Sequence, residues 1–262
     1  MLYTKQLISG RDINMKEHLL GIIKQPIVDD FMDDYEFQDF LEVFYLEQTY
    51  KVEGLFKDMD KPFTYFLAIA YQQPKVINSL NKALCLLYDI NPKILYNEEF
   101  AKKHEDKIQL IDFGDGVFKI KIIKNNNDKG FAWIGDENFD YLCQVVLNIC
   151  YCDTPKPKKK EQYETKDKDI LKEFEKQKNK WNKKREKEAT SYEEIVREVI
   201  HMKGGTYNEI KDMTIFQLQD TYRTYIYMDT EMKQWMMMTN PLYKTEGKNN
   251  KSWREETKIS KD

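Results

Sequence analysis

The spacing of apolar residues at the start of the chain favours short extended segments. Residues 2–8 are predicted to be extended and to end in a turn at Ser9-Gly10. The segment 12–15 follows, and then an apolar run over 19–23 that ends at Pro26. Short strands are therefore predicted before residue 26.

A helical pattern follows between residues 28 and 45. Aromatic and aliphatic residues recur there every three or four positions, which predicts an amphipathic helix. Four acids lie in the predicted first turns of this helix: Asp29, Asp30, Asp33 and Asp34. Their expected role is to complement the helix dipole, and the alternative role is to bind a metal ion. Further helices are predicted from Pro62 onward and over 77–88, with a break at Pro92.

Strand spacing returns in the next part of the chain. Residues 109–113, 117–123 and 130–134 are rich in β-branched and aromatic side chains and are separated by Asn- and Gly-rich turns, which is typical of hairpins. The sequence Asp136-Glu137-Asn138 is then predicted to cap a helix over 139–149. These elements together indicate an α+β fold of helices and short antiparallel strands.

A strongly charged segment separates this part from the rest. Residues 156–188 contain fourteen basic and eight acidic residues, a local charge of +6 in a chain of net charge −3. Apolar side chains are few, and Ile170, Phe174 and Trp181 recur at helical offsets, so a solvated helix is predicted. Pro155 and Pro157 mark its start as a linker.

Two capping boxes predict helices in the last part of the chain. The first, Ser191 to Glu194, starts a helix that is expected to end at Gly204-Gly205, and the second starts at Thr214. Six apolar residues then follow seven-residue spacing in the last helix, interrupted by Asp229: Ile215, Leu218, Tyr222, Tyr225, Met232 and Met236. The predicted domains are 1–153 (α+β), 154–190 (charged lysine-rich connector), 191–242 (helical C-terminal module) and 243–262 (flexible tail).

Composition narrows the classes of function. A pI near 5.8 argues against a dedicated nucleic-acid binder, and no apolar run is long enough to span a membrane. The first residues lack the pattern of a secretory signal, so intracellular synthesis is expected. In that setting the four cysteines are predicted to be buried or half-buried thiols.

No motif predicts catalysis, a cofactor or a metal site. The three histidines are far apart in sequence: His18, His104 and His201. Cys150-x-Cys152 lacks the spacing and the second ligand pair of a zinc knuckle, and Gly114-Asp115-Gly116 is explained by a hairpin turn. A carboxylate pair among the 45 acids would leave no such trace, so an unrecognised enzyme stays as the last alternative.

Two features are candidates for partner binding. Large apolar residues of the last helix are predicted to form a contact surface, with ordinary core packing as the alternative: Tyr222, Tyr225, Met232, Trp235 and Met236. The lysine-rich connector is a candidate for nucleic-acid contact, although its interspersed acids favour a solvated helix.

The order of several motifs resembles a family of tail assembly chaperones and baseplate-associated proteins from tailed bacteriophages of AT-rich Gram-positive hosts. The motifs are Gly10–Ile13 with Ile22–Pro26, Gly135–Leu142, the lysine-rich connector and Met213–Asp220. The resemblance implies a non-enzymatic protein that binds tail components, the tape-measure protein or the baseplate hub, in the host cytoplasm. Permanent residence in the virion tail as a structural subunit and self-association are open alternatives.

Overall fold

The computed structural model describes residues 3–32, 36–52, 61–125, 130–152 and 190–239, except for the side chains of 46–52 and 237–239. The predicted connector, up to residue 189, and the predicted tail 243–262 lie outside the described residues. Asp33 and Asp34 do so as well.

Helices account for most of the described residues. The α-helices are α1 (Thr4–Ser9), α2 (Phe37–Val52), α3 (Pro62–Tyr71), α4 (Pro74–Leu87), α5 (Glu98–Lys103), α6 (Phe139–Ile149), α7 (Tyr192–Lys203) and α8 (Ile215–Thr239). Short 3-10 helices cover Lys16–His18, Val28–Phe31, Pro92–Leu95 and Tyr207–Glu209. The strands are β1 (Ile13–Asn14), β2 (Ile22–Ile23), β3 (Lys107–Asp112), β4 (Phe118–Ile123) and β5 (Ala132–Ile134).

The strands form two small antiparallel sheets, which confirms the predicted α+β class. Strand β1 pairs with β2, with Ile13 opposite Ile23. Strands β3, β4 and β5 form a meander in that order, and Ile120 of β4 lies opposite Leu110 on one side and Ile134 on the other. The alternation of β4 turns Ile120 and Ile122 into the core while Lys119 and Lys121 are on the opposite face.

The prediction of an extended segment over residues 2–8 was wrong, because this stretch forms helix α1. Its Leu7 is buried in the core, and Gly10 ends the helix in the left-handed region at φ 66°. Gln25 donates from its side-chain amide to the carbonyl groups of Gln6 and Arg11, which fixes the end of α1. Contacts with distant residues therefore override the weak local pattern of a segment this short.

The helix predicted from residue 28 begins only at Phe37. The backbone N–H groups of Val28 and Asp29 donate to the carbonyl groups of Met213 and Lys211, so this segment is bonded to the loop before α8. The Asp30 carboxylate accepts from the Ile27 N–H at 2.8 Å and closes a 3-10 turn. Asp29 and Asp30 thus lie in that turn and not in the first turn of a long helix.

Both predicted capping boxes are present. The Ser191 hydroxyl accepts from the Glu194 N–H while the Glu194 carboxylate accepts from the Ser191 N–H, and α7 ends at Gly204 as expected. Thr214 and Gln217 make the same reciprocal pair at the start of α8, at 3.2 and 3.0 Å. These bonds satisfy N–H groups that a helix start otherwise leaves without partners.

The last two helices pack into the same hydrophobic core as the first 150 residues. Phe216 is fully buried against Tyr151, with ring centroids 5.0 Å apart. The Tyr192 hydroxyl donates to the Val28 carbonyl, and the N–H of Ile215 donates to the carbonyl of Pro26. The division into a first domain and a C-terminal module stays a prediction, since the connector lies outside the described residues.

Candidate functional site

Helix α8 leaves the core part-way along its length. Ile215, Phe216 and Leu218 in its first turn are fully buried. Beyond Tyr222 large apolar side chains are exposed, and the exposed fraction rises from 45% at Tyr225 to 65% at Trp235. The outer half of this helix is therefore an apolar surface that is not used by the core of the described chain.

Four of these side chains form one stripe, which we call the α8 stripe: Tyr225, Met228, Met232 and Trp235. Their spacing of three, four and three residues places them on one side of the helix, as the a and d positions of two heptads. They line a groove of about 490 Å³ together with Asp229 and Glu231. An exposed a/d stripe is the usual surface by which one helix packs against another.

The structure brings most of the predicted contact residues to this surface. Tyr225, Met232, Trp235 and Met236 are all exposed on the outer half of α8. Tyr222 is half-buried: it packs against the core, and its hydroxyl lies 3.3 Å from that of Thr190.

Sequence reasoning missed two exposed apolar residues of the same helix. Ile226 and Met228 are 42% and 45% exposed. Met228 precedes Trp235 by seven residues, as Tyr225 precedes Met232, but the heptad predicted through Tyr222, Tyr225, Met232 and Met236 does not include this second pair.

A second groove runs beside the first, between α7 and α8. It has a volume of about 430 Å³ and shares Tyr225 and Asp229 with the first groove. Its lining adds residues from α7: Glu194, Arg197, Glu198 and Met202. The two grooves together form a continuous surface in which apolar side chains are flanked mainly by acids.

The base of the exposed half is fixed by a polar cluster at the edge of the core. Burial raises the pKa of Asp220, against the opposing effects of a hydrogen bond with Tyr151 and the positive charge of Arg223. The Arg223 guanidinium also lies over the Tyr151 ring, 5.3 Å from its centroid. This cluster holds the helix where it leaves the core, and further out Lys233 pairs with Asp229 at 2.6 Å.

A further cavity, of about 770 Å³, is lined by residues of α4, of the 3-10 helix that follows it and of neighbouring loops. Its carboxylates serve the fold: Asp30 accepts from the Ile27 N–H, Asp106 from the Asn125 N–H, and Asp89 pairs with lysines. Burial raises the pKa of the Cys85 thiol to about 12, so this thiol is not a nucleophilic thiolate at neutral pH.

Two of the three histidines pack against aromatic rings. The His18 ring is tilted against Tyr141 with ring centroids 4.1 Å apart, and His104 packs on Phe100 at 4.6 Å. Gly114 to Gly116 form the β3–β4 turn, closed by the bond from the Phe113 N–H to the Val117 carbonyl. In the described ranges no three His, Cys, Asp or Glu side chains are grouped to hold a metal ion.

The cysteines are reduced in the structure. All four cysteines are thiols that no disulfide joins; three are buried and Cys152 is half-buried, as predicted. Within the described part of the chain, none of the helices combines the length and the apolar character needed to cross a membrane.

Part of the chain is similar to a known protein family. A family model for the YomV second domain matches residues 182–258, a range that contains α7, α8 and the described lining of both grooves. That family derives from a Bacillus prophage, so the match indicates a phage protein. The matched range is well under half of the chain. No curated protein and no solved structure matches.

Proposed function

We propose that this chain is a non-enzymatic protein of bacteriophage tail morphogenesis, and that it binds another tail polypeptide through the α8 stripe. The observation that carries the proposal is the stripe itself: four large apolar side chains, each at least 45% exposed, in helical register on a helix whose base is fixed in the core. Contiguous exposed apolar surface of this kind marks sites of protein association.

The chemistry of the stripe suits binding to a polypeptide. Methionine side chains are flexible and polarisable and adapt to different partner surfaces, whereas tryptophan and tyrosine supply large rigid contacts. Trp235 lies at the far end of the stripe and Tyr225 at the near end, with Met228 and Met232 between them. A partner could therefore be anchored at two aromatic residues across a deformable centre.

Two further observations support the narrower assignment to tail assembly. The YomV second-domain match covers the stripe and supports a phage origin, and the order of motifs along the chain resembles tail assembly and baseplate-associated proteins. A non-enzymatic role is supported by the cavity of about 770 Å³, whose carboxylates are engaged in holding turns and loops. The partner proposed is the tape-measure protein or a baseplate hub component.

The test is capture of phage tail proteins by the tagged full-length chain from cells producing the phage. Because a few large anchor residues, tryptophan above all, carry most of the energy of an interface, the double substitution Trp235→Ala and Met236→Ala should reduce recovery of the tail partner by about tenfold or more. Tyr71→Ala is the matched control, since Tyr71 is 56% exposed on α3, and it should leave recovery unchanged. Unchanged recovery of every tail protein by the double variant would refute the proposal.

Purified virions distinguish two forms of the function. An assembly chaperone acts before the tail is complete and is absent from virions, whereas a permanent baseplate or hub subunit is found there in fixed copy number. Quantitative mass spectrometry of purified particles measures this directly.

A further inference from the structure

We infer that the partner of the α8 stripe is an amphipathic helix with basic residues along its flanks. This inference rests on the proposed function and adds the chemical class of the partner. It is drawn from the register of the stripe and from the charges on both sides of it.

The register favours a helix as the bound element. Tyr225 and Met232 occupy successive a positions, and Met228 and Trp235 occupy successive d positions. A second helix can place its own a and d side chains between these four with knobs-into-holes packing. An extended strand would instead present side chains with a period of two, which does not match this spacing.

The flanks of the stripe are acidic. Asp229 follows Met228 at the e position and Glu231 precedes Met232 at the g position, so that one carboxylate lies on each side of the stripe. The adjoining groove adds Glu194 and Glu198 from α7. Positions e and g are where charged residues of paired helices meet and determine the choice of partner.

Among the described residues that line the two grooves, bases are fewer than acids. Arg197 lines the α7 groove, and Lys233 pairs with Asp229 within its own helix. With Lys233 included, these described residues comprise two bases and four acids, an excess of two negative charges. Complementarity of potential across an interface therefore favours lysine and arginine on the partner.

The same charges disfavour a second copy of this chain. Antiparallel pairing would place Tyr225 opposite Trp235 and Met228 opposite Met232, but e positions then meet e positions and g positions meet g positions. Asp229 would face Asp229 and Glu231 would face Glu231 at the centre of the contact. Parallel pairing would place Glu231 near Met236, an e residue that offers no cation.

Two synthetic peptides test the inference with the full-length chain. Both are three-heptad helices with leucine at a and d; one carries lysine at e and g, the other glutamate. Fluorescence anisotropy of the labelled peptides measures their affinities at low and at physiological salt. The lysine peptide should bind at least about tenfold more tightly, and its advantage should decrease as salt rises.

Two variants locate the binding. Asp229→Lys with Glu231→Lys should reverse the preference, so that the glutamate peptide binds more tightly. Met232→Ala with Trp235→Ala should weaken the binding of the lysine peptide by about tenfold or more, because the apolar anchors are lost. Tyr71→Ala again serves as the control with unchanged affinity.

Three outcomes would overturn the inference. Equal affinity for both peptides would show that charge does not select the partner. If the chain is monomeric and binds neither peptide, the stripe does not bind a helix. A dimer in sedimentation equilibrium that Trp235→Ala dissociates assigns the stripe to a second copy. Each leaves the capture of tail proteins through Trp235 and Met236 as a separate question, so failure of the inference is distinguishable from failure of the proposed function.

Discussion

The Asp136 carboxylate accepts a hydrogen bond from the backbone N–H of Phe63, with a distance of 2.7 Å between Oδ1 and N. The N–H of Thr64 points to the same oxygen at 3.3 Å, and the Thr64 hydroxyl lies 3.3 Å from the other oxygen. Phe63 and Thr64 belong to the first turn of α3, whose own N-cap residue, Lys61, makes no side-chain capping bond. Asp136 therefore caps a helix that begins more than 70 residues before it.

Asp136→Ala should lower the free energy of unfolding by about 1 kcal/mol, the typical value for loss of an N-cap acceptor. Asp136→Asn keeps an acceptor oxygen in place and should retain most of that stability. Urea denaturation of the full-length variants measures both values. An alanine variant as stable as the wild type would show that water replaces the carboxylate at no cost.

Gly21 and Gly114 both have a left-handed backbone conformation, with φ of 67° and 82°. Alanine at either site should cost about 1 kcal/mol for the backbone alone. A Cβ at residue 21 would also lie 2.9 Å from the ring and from the carbonyl oxygen of Phe131, whereas a Cβ at residue 114 meets nothing within 4 Å. Gly21→Ala should therefore be the more destabilising by about 1–3 kcal/mol in thermal or urea unfolding. Equal losses would contradict the close contact with Phe131.

Cys85 should make the fold sensitive to alkali. Desolvation by burial raises its pKa from 9.0 to about 12, so the folded state holds the thiol proton more tightly than the unfolded state does. The protonated thiol therefore contributes to the free energy of unfolding. That contribution is fully present below pH 9 and is lost as the pH rises through the folded-state pKa. In Cys85→Ala the decline of unfolding free energy between pH 9 and 12 should be shallower. Ala83→Gly, a neighbouring buried truncation on α4, should keep the wild-type slope, and an unchanged slope in Cys85→Ala would count against the buried thiol.

A substitution at Phe216 tests whether the last two helices and the first 150 residues unfold together. Phe216→Ala should cost about 3–5 kcal/mol, the usual range for a fully buried phenylalanine. Because the core is shared, amide hydrogen exchange should accelerate in α6 and in α7 by similar factors. Acceleration confined to α7 and α8 would instead show two units that unfold independently.

Trp235 should contribute little to the stability of the isolated chain. Its side chain is 65% exposed, so Trp235→Ala should change the unfolding free energy by no more than about 0.5 kcal/mol. Chemical denaturation beside the Phe216→Ala variant provides the comparison. A large loss of stability would mean that the stripe serves folding, and the binding experiments on this residue would then need a different variant.

Local signals explain how much of the fold could be predicted from the sequence. The two capping boxes, the turn at Gly114 to Gly116 and helix α6 depend on residues within a few positions of one another, and the structure has all of them. The errors lie where distant segments set the backbone. Val28 and Asp29 donate to Met213 and Lys211, a pairing that no local pattern encodes.

The sequence Asp136-Glu137-Asn138 shows the same limit within one motif. It was predicted to cap α6, and α6 does begin at Phe139. The Asn138 side chain, however, accepts from the Gly135 N–H and donates to the carbonyl groups of His18 and Trp133, so it stabilises the turn. Residue type predicted that a cap was present but not which helix it would serve.

Only part of the candidate surface could be predicted, because exposure depends on the packing of distant segments. Heptad spacing identified Tyr225 and Met232, but spacing alone cannot distinguish a helix face that packs inward from one that faces solvent. In α8 both occur on the same helix, and the change from buried to exposed side chains falls near Tyr222. That boundary depends on the tertiary fold.

Helix α8 is continuous from Phe216 at the centre of the molecule to Trp235 near its outer end. At a rise of about 1.5 Å per residue, these two side chains are attached roughly 28 Å apart along one rod. A partner that binds the outer turns is therefore held at a fixed distance and angle from the folded core. Where many copies are arrayed around a symmetric assembly, this geometry would set the direction in which each one faces.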